Sequence, residues 1–571
     1  MNNALLAAAG IADPNTRGNA ASADPRAVVG ILRANKIPLL DLAAGVCPVD
    51  IERSEPWREA LRIEAASREE QLAAFAIVTA RLRSEGIDHV LFKSAGGFPY
   101  RSSNLDLLVA PARFRSAAGL LEAAGHLRMP HYREEHKLLF HRFQSGRSVL
   151  SVHLHDAVSW GRVVILEGSG VVARAVPSSD GSCSIASPVD RVVTTLAHAL
   201  YETDQVRLAD LRTLRLAVAD PAFSWEAARA RVAERGWEDG FFAIITIVAA
   251  VEVCILGSSC IPDALRATAF ARMEESAWAG RYARRLAATI GRAAPPSLPL
   301  RLSKINSKVH YVERLMRQRD RAPDERLADV VAAGWNLLEG RLKLRCRPAV
   351  VVSLSGLDGS GKSMVVRAVR AAMEVCEIPV ATVWSRGGFT GWMAAVKRHG
   401  RRVLPIPGPG AAEEKRRWLE RPGVGSVFAF AVLIEQLAHH ALRIAAPRAL
   451  GWSIVCDRHV YDTAADLIVK AGPRWGVVTA TRLLIGLTRR PDLPLLLDLS
   501  PATAIGRKTQ DAGAEPERQA AALTAIARAH GLVRIDADRS DAEVVDEAVE
   551  RTLRAAFAKF EPTDAPVETR P

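Results

Sequence analysis

The spacing of apolar residues changes along the chain and separates regions of different structure. From Pro25 to about Gly86, and from Ser187 to about Leu344, apolar residues recur every three to four positions, which predicts helices. Between about 85 and 175, short apolar runs such as HVLFKS and NLDLLVA (Asn104–Ala110) predict strands with short helices between them. The first half of the sequence therefore predicts a small α/β unit followed by a helical extension.

After Pro348 continuous apolar runs alternate with helical stretches. The predicted strands are AVVVSLSG, IPVATVWS, GWSIVCD, LPLLLDLS and LVRIDA. Such runs are typical of strands that are buried on both faces, and their alternation with helices predicts a doubly wound parallel sheet in an α/β fold. The predicted organisation is a flexible N-terminus at 1–24, an α/β domain at 25–186, a helical extension and linker at 187–345, the doubly wound domain at 346–560 and a flexible tail at 561–571.

Length and charge narrow the classes of function. A chain of 571 residues is too long for one ordinary domain, and its 49% apolar and 24% charged residues are globular values. The formal charge of +13 favours anionic partners such as nucleotides, nucleic acid or a membrane surface. The positive charge is mostly scattered arginine, which argues against a nucleic-acid partner.

Cysteine usage and apolar segments bear on the compartment. The seven cysteines form no C-x-x-C pair, which favours reduced thiols and a cytoplasmic protein. The N-terminal residues lack the basic region and apolar length of a signal peptide. The most apolar stretch, Phe241–Leu256, has 16 residues and carries Glu252, whereas a membrane-spanning helix needs about 20 apolar residues. We expect a buried core helix there and no membrane span.

A glycine-rich loop follows the first strand of the doubly wound region. In VVSLSGLDGSGKSMVV, Gly356 is followed after four residues by Gly361, Lys362 and Ser363, which is the phosphate-loop pattern G-x-x-x-x-G-K-S/T. Glycines let backbone N–H groups converge on phosphate oxygens, and the following helix directs its positive end there. Lys362 is predicted to reach the β- and γ-phosphates of ATP, and the Ser363 hydroxyl to ligate Mg²⁺.

A second charged segment ends a later strand. The apolar run Trp452–Cys456 is followed by Asp457 and Arg458. A carboxylate at the tip of a strand beside the loop could hold Mg²⁺, so Ser363 and Asp457 are the predicted metal ligands. Arg458 could bind a substrate phosphate through two N–H groups. The alternative is a strand-end turn with a surface ion pair.

Four segments, in this order, resemble thymidylate kinase and its relatives. They are LSGLDGSGKS, SRGG (Ser385–Gly388), CDRHVYD (Cys456–Asp462) and RPDLPLLLDLSPATAIGRK (Arg490–Lys508). The resemblance covers about 348 to 560. It implies a P-loop kinase fold and transfer of the ATP γ-phosphate to a nucleoside monophosphate.

The resemblance also implies roles for the matching residues. The predicted catalytic residues are Lys362, Asp457, Arg458 and Arg386, the last of which would bind the phosphate of the acceptor. The predicted ATP-binding residues are Gly356, Asp358, Gly359, Ser360, Gly361, Lys362, Ser363, Met364 and Arg507. A lid over ATP would use Arg507, Lys508 or Arg518 to stabilise the transferring phosphoryl group. A solvated basic helix face is the alternative for these three residues.

The segments that would bind the acceptor depart from the family pattern. Thymidylate kinases usually read R-E-P-G-G after the second strand, whereas this chain has Ser385–Gly388 without Glu-Pro. The helix at Phe428–His440 lacks the arginine that lines the base pocket, although Phe428 or Phe430 could stack on a base. A long insert also lies where substrate would bind. The acceptor could thus be a nucleotide, a sugar or another small hydroxyl or phosphate compound, and Asp358 could assist in positioning the metal or the acceptor.

The segment VLFKSAGGFPYRSSNLDLLVA resembles a bacterial nucleotidyltransferase-like family, over about 25–290. The matching positions are Lys93, Arg101, Asn104, Asp106, the run Val152–Ala157, His198 and Asp210. In that family a D-x-D pair and a later acidic residue would hold two metal ions. Here Asn104 replaces the first aspartate and His153 the later acidic residue, which favours a binding or regulatory role over nucleotidyl transfer. Alternatively, His153, His155 and Asp156 could ligate a transition metal.

The sequence leaves three functions open. The first is an ATP- and Mg²⁺-dependent phosphotransferase that acts on a small phosphate- or hydroxyl-bearing acceptor. The second is an ATP-binding regulatory switch without kinase turnover, and the third is a nucleotidyltransferase coupled to a kinase. A homodimer is compatible with each of them.

Overall fold

The computed structural model describes most of the chain and divides it into two compact units. The described residues are 24–42, 49–93, 104–130, 134–178, 181–275, 279–291, 296–317, 322–342, 349–385, 417–507 except 420 and 422, and 515–559. The first unit consists of Met1–Arg128, Tyr132–Arg142 and Val149–Leu338, and the second of Met129–His131, Phe143–Ser148 and Glu339–Pro571. The finer division into 25–186 and 187–345 stays a prediction, since both ranges lie largely within the first unit.

A mixed sheet of seven strands, most of whose residues belong to the first unit, has the order β3-β4-β5-β2-β1-β9-β8. Its strands are β1 (His89–Leu91), β2 (Leu105–Val109), β3 (Leu127–Arg128), β4 (Lys137–Gln144), β5 (Arg147–His155), β8 (Val176–Pro177) and β9 (Ser184–Ile185). A hairpin of β6 (Ala157–Trp160) and β7 (Val163–Glu167) follows β5, and β10 (Gln205–Val206) pairs with β11 (Leu300–Arg301). The strands β2 and β5 run parallel, with Asp106 opposite His153 and Leu108 opposite His155.

Helices make up the rest of the first unit. They are α1 (Pro25–Ala34), α2 (Val49–Glu52), α3 (Glu55–Ser84), α4 (Phe114–Ala123), α5 (Gly168–Ala173), α6 (Pro188–Tyr201), α7 (Leu208–Val218), α8 (Trp225–Glu234), α9 (Glu238–Leu256), α10 (Asp263–Glu275), α11 (Ala279–Thr289), α12 (Lys304–Met316) and α13 (Pro323–Leu342). Asn35, fully buried after α1, donates from its side chain to Leu298 O at 3.0 Å and accepts from Leu208 N at 3.1 Å. This amide therefore joins three segments that are far apart in the sequence.

The apolar stretch expected to form a core helix is α9. Its buried residues pack in the main apolar core of the first unit. The Glu252 carboxylate is buried there and accepts hydrogen bonds from Ser259 Oγ at 2.6 Å, Cys260 N at 3.0 Å and Arg215 Nη1 at 3.2 Å. By length and composition alone, α9 and Val424–Ala449 could each cross a membrane, but the packing of α9 is that of a core helix.

The second unit is built on a parallel sheet of five strands in the order β13-β14-β12-β15-β16. These strands are β12 (Val351–Gly356), β13 (Val380–Trp384), β14 (Ser453–Asp457), β15 (Leu493–Asp498) and β16 (Val533–Asp536). The helices are α14 (Lys362–Val375), α15 (Val424–His440), α16 (Ala446–Ala449), α17 (Val460–Ala471), α18 (Trp475–Leu487), α19 (Pro501–Arg507), α20 (Glu515–His530) and α21 (Asp541–Phe557). The predicted α/β class and its parallel sheet are confirmed.

The central strand β12 explains where a site can form in this unit. All six of its residues are buried, as expected for a strand covered on both faces. Its neighbours β14 and β15 both run parallel to it, and Leu354 lies opposite Asp457 in β14. Because parallel strands share one carboxyl edge, Gly356 and Asp457 end at the same edge of the sheet.

Candidate functional site

The glycine loop lies between β12 and α14 at this carboxyl edge. Gly361 precedes α14 with φ 83°, in the left-handed region that favours glycine. A Cβ on Gly356 would lie 2.7 Å from Leu497 O, so the strand exit also requires glycine. The loop borders a pocket of about 300 Å³ lined by Asp358, Gly359, Gly361, Lys362, Ser363, Met364, Trp384, Asp457 and Arg458. The sequence prediction thus named every lining residue except Trp384.

Lys362, the first residue of α14, is folded back onto its own loop. Its Nζ donates to Gly356 O at 2.8 Å and to Leu357 O at 2.5 Å, and lies 3.5 Å from Ser360 Oγ. Burial lowers the pKa of Lys362 to about 8, because desolvation disfavours the ammonium ion more than nearby aspartates favour it. The ammonium group is therefore held by carbonyl dipoles at the base of the pocket.

Ser363 and Asp457 form the pair predicted to hold a metal ion. Ser363 Oγ donates to Asp457 Oδ2 at 2.9 Å across the pocket. The two residues are brought together because Asp457 ends β14 and Ser363 lies in the first turn of α14. A hydroxyl and a carboxylate oxygen on adjacent elements are ligands that Mg²⁺ accepts, so this donor set fits the ion.

Arg458 adopts a left-handed backbone conformation directly after β14. Its φ is 74°, and its N–H donates to Leu354 O at 3.0 Å, which turns the side chain toward the loop. There the guanidinium pairs closely with Asp358 and lies 3.9 Å from Asp462 Oδ1. Arg507, at the end of α19, donates to Gly359 O at 3.1 Å. The loop is therefore contacted by two of the predicted arginines.

Asp462 is a further residue of this site that the sequence prediction missed. Its carboxylate is fully buried and accepts from Gly356 N at 3.3 Å and from His459 N at 3.2 Å. Burial raises its pKa, although Lys362 and Arg458 oppose the shift. Its local signals are its place at the end of the CDRHVYD segment and its spacing from His459, with which it forms a capping box at the start of α17.

Some predicted residues lie elsewhere. Arg386 and Lys508 are outside the described residues, and Arg518 is exposed on α20. Phe428 is partly buried against an apolar cluster of α15, α17 and α18, whereas Phe430 is 36% exposed. Among the described residues that line the loop pocket, neither phenylalanine is present. Trp384, half exposed at the end of β13, is the aromatic residue that does line it.

The first unit gathers a second set of polar side chains on β2 and β5. Asp106 is buried, with its Oδ1 3.4 Å from His153 Nδ1 and 3.2 Å from His155 Nε2. Asn104 Nδ2 lies 2.7 Å from His153 Nδ1. Burial lowers the pKa of His155 to about 3, so its imidazole is neutral at physiological pH.

This set differs from the metal-binding trio predicted from the sequence. His153 and His155 are present, but Asp156 contacts His136 Nδ1 at 2.9 Å instead. The carboxylate of the group is Asp106, because β2 pairs with β5 in parallel register. Arg101 lies outside the described residues.

A small basic pocket of about 90 Å³ opens beside this set. Its lining includes the cations Lys36, Lys93, Arg207 and Arg212, together with His198. Asp210 also lines it and caps α7 by accepting from Arg207 N at 2.8 Å. Burial raises the pKa of Asp210 to about 6. Lys93, His198 and Asp210 are three of the positions predicted from the resemblance, and the fold brings them to one pocket.

Comparison with known proteins agrees with this division. Residues 44–251 match the model of a family described as "Uncharacterised nucleotidyltransferase". The chain is also 26% identical over 215 residues to the thymidylate kinase of Symbiobacterium thermophilum, a match that covers 36% of this chain and 91% of that protein. The two resemblances predicted from the sequence are confirmed. Both names denote transferases, so the similarity is to transferase enzymes in each case.

Proposed function

We propose that the second unit is a P-loop kinase that moves the γ-phosphate of ATP to a nucleoside monophosphate or a related small acceptor. The observation that carries the proposal is the meeting of Lys362, Ser363 and Asp457 in one pocket at the end of β12. A phosphate loop alone would serve any nucleotide-binding protein. The added carboxylate and Arg458 supply the charges that phosphoryl transfer requires.

The residues of the pocket have separate roles in phosphoryl transfer. The loop N–H groups and the start of α14 bind the β- and γ-phosphates, and the Lys362 ammonium leaves its carbonyl partners to neutralise their charge. Ser363 and Asp457 would hold Mg²⁺, which neutralises charge that develops on the phosphates. An acceptor oxygen forms its bond to the γ-phosphorus while the bond to the β–γ bridging oxygen breaks, and ADP leaves with that electron pair.

Arg458 supports a phosphate-bearing acceptor. Its guanidinium lies at the pocket with Asp358, and a phosphate could take the place of one carboxylate through two parallel N–H contacts. The exposed indole of Trp384 lines the same pocket and offers an apolar face to a ring. These two groups favour a nucleotide over an unphosphorylated sugar.

Release of ADP tests the proposal. Purified full-length protein is incubated with Mg·ATP and a panel of nucleoside monophosphates and sugars, beside Lys362→Ala and the surface control Lys470→Ala. We expect one acceptor to stimulate ADP release, with the rate falling at least about 100-fold in Lys362→Ala and unchanged in Lys470→Ala. If ATP binds but no acceptor stimulates release above the Lys362→Ala rate, the regulatory switch is the better account.

For the first unit we propose a binding or regulatory role instead of nucleotidyl transfer. Asn104 and His153 contact each other where the related family would have two carboxylates, and Lys93 lies 3.6 Å from the remaining one, Asp106. One carboxylate paired with an ammonium has too little charge for two Mg²⁺ ions. We therefore expect no label transfer from α-³²P-labelled nucleotides; transfer that Asp106→Ala abolishes would establish the nucleotidyltransferase.

A further inference from the structure

We propose that Asp106, His153 and His155 hold one divalent transition-metal ion of the kind that binds imidazole, such as Zn²⁺. The three ligand atoms, Asp106 Oδ1, His153 Nδ1 and His155 Nε2, all lie within 4.8 Å of one another. They are built on paired strands, since Asp106 faces His153 across the β2–β5 register and His155 follows on the same side of β5. Rigid strands are suitable supports for a metal site.

Two of the three separations between these atoms match those of tetrahedral ligands, and the third, between the two histidine nitrogens, is within 4.8 Å. Ligands about 2.0–2.1 Å from Zn²⁺ in tetrahedral geometry are about 3.3 Å from each other. Asp106 Oδ1 is 3.4 Å from His153 Nδ1 and 3.2 Å from His155 Nε2. Direct charge-assisted hydrogen bonds would be about 2.7–2.9 Å long. Both separations are therefore longer than strong hydrogen bonds and close to the distance between two ligands of a tetrahedral zinc ion.

The types of ligand decide which metal fits. Two imidazoles and one carboxylate are a borderline-soft donor set that suits Zn²⁺, Co²⁺ or Ni²⁺, whereas Mg²⁺ prefers oxygen ligands. Asn104 Nδ2 lies 2.7 Å from His153 Nδ1, so an ion bound to this nitrogen would displace the amide of Asn104. This group differs from a two-magnesium centre because two of its three ligands are histidines.

The ammonium group of Lys93 would repel a metal ion bound at Asp106. Its Nζ lies 3.6 Å from Asp106 Oδ1 but only 2.9 Å from Glu202 Oε2. Glu202 also accepts from Trp160 Nε1 at 2.9 Å, so it is fixed in place. Asp106, Lys93 and Glu202 together carry one net negative charge. A divalent ion can thus bind the Asp106 carboxylate while Lys93 keeps its ion pair with Glu202.

Binding of Co²⁺ to the full-length protein tests the site, because Co²⁺ substitutes for Zn²⁺ and absorbs visible light in nitrogen-containing sites. We expect one equivalent to give a visible absorption band that Zn²⁺ abolishes and millimolar Mg²⁺ does not. His153→Ala should weaken Co²⁺ binding at least about 100-fold, since a ligand is lost. His141→Ala, on β4 of the same sheet, is the matched histidine control and should retain the band.

Stability measurements separate loss of a ligand from loss of the fold. Zn²⁺ should raise the melting temperature of the first unit in the wild type and in His141→Ala, and not in a His153→Ala protein with a native circular dichroism spectrum. Absence of the band in the wild type, or its persistence in His153→Ala, would overturn the proposal. A band seen only in Lys93→Met would also overturn it and would identify Lys93 as the permanent counterion of Asp106.

Discussion

The low pKa of Lys362 makes ATP affinity depend on pH. Its ammonium is buried against loop carbonyls, and this burial lowers its pKa to about 8. Phosphate oxygens favour the ammonium ion, so bound ATP raises the same pKa and binding is linked to uptake of a proton. We therefore predict that ATP affinity falls as the pH rises through 8.

The magnitude follows from the protonated fraction of the free protein. With a pKa of about 8, Lys362 is roughly 91% protonated at pH 7 and roughly 9% at pH 9, so the apparent Kd for Mg·ATP should rise about tenfold. A lysine with an ordinary pKa of about 10.4 would lose only about 4% of its charge by pH 9 and would leave Kd unchanged. The γ-phosphate titrates near pH 6, below this window.

Protein stability should change in the opposite direction. The pKa of Lys362 is lowered in the folded state, so burial of its ammonium destabilises the fold at low pH. The fold is free of this cost above the unfolded pKa of 10.5, and that advantage is lost as the pH falls through about 8. Over that window the free energy of unfolding should rise by about 3 kcal/mol from this group. Higher pH would thus favour the nucleotide-free fold while weakening ATP binding.

Calorimetric titration of Mg·ATP between pH 7 and 9.5 measures the effect directly. Lys362→Arg is the control, because a guanidinium stays protonated throughout this range and should give a Kd that is nearly constant with pH. A wild-type Kd that does not change between pH 7 and 9, or an equal rise in Lys362→Arg, would refute this account of Lys362.

Three further substitutions probe separate contacts. Asp457→Asn should raise the Mg²⁺ concentration for half-maximal ADP release at least about tenfold, since a charged ligand is lost; an unchanged requirement would exclude Asp457 from the metal site. Asp462→Ala leaves the Gly356 N–H unsatisfied beside two buried cations, and urea unfolding of the second unit should show a loss of about 3 kcal/mol. Asn35→Ala removes the side-chain contacts to Leu298 O and Leu208 N and should cost the first unit about 2–3 kcal/mol. Losses below about 0.5 kcal/mol, as at ordinary surface positions, would contradict the structural roles of these two residues.

The parts of the fold that the sequence predicted correctly are governed by local patterns. The runs that became β12, β14 and β15 are apolar on both faces, which identifies strands of a parallel sheet without any knowledge of their neighbours. The phosphate loop is equally local, because its glycines and the first two residues of α14 lie within eight residues, 356–363. Asp457 was predicted because it ends a strand.

The parts that were missed depend on contacts between distant residues. Asp462 accepts a hydrogen bond from the N–H of Gly356, 106 residues earlier, and no local sequence pattern predicts that bond. The grouping of Asp106 with His153 depends on the register of β2 and β5, which side-chain periodicity alone does not fix. The predicted trio used Asp156 instead because it was the nearest carboxylate in the sequence.

The pairing of distant strands also sets the order in which the chain can fold during synthesis. The central strand β12 pairs with strands that begin at Ser453 and Leu493, so its sheet cannot form until roughly 140 more residues have been made. The first unit, whose last residue is Leu338, is complete before β12 begins. At about 5–20 residues per second, β12 then waits roughly 7–30 seconds for β15. During that interval an apolar strand and its phosphate loop have no sheet partners, so we expect the second unit to be the more prone to aggregation during synthesis. Chains released near residue 345 should already resist protease, whereas chains released near residue 450 should be cleaved at sites that follow residue 345.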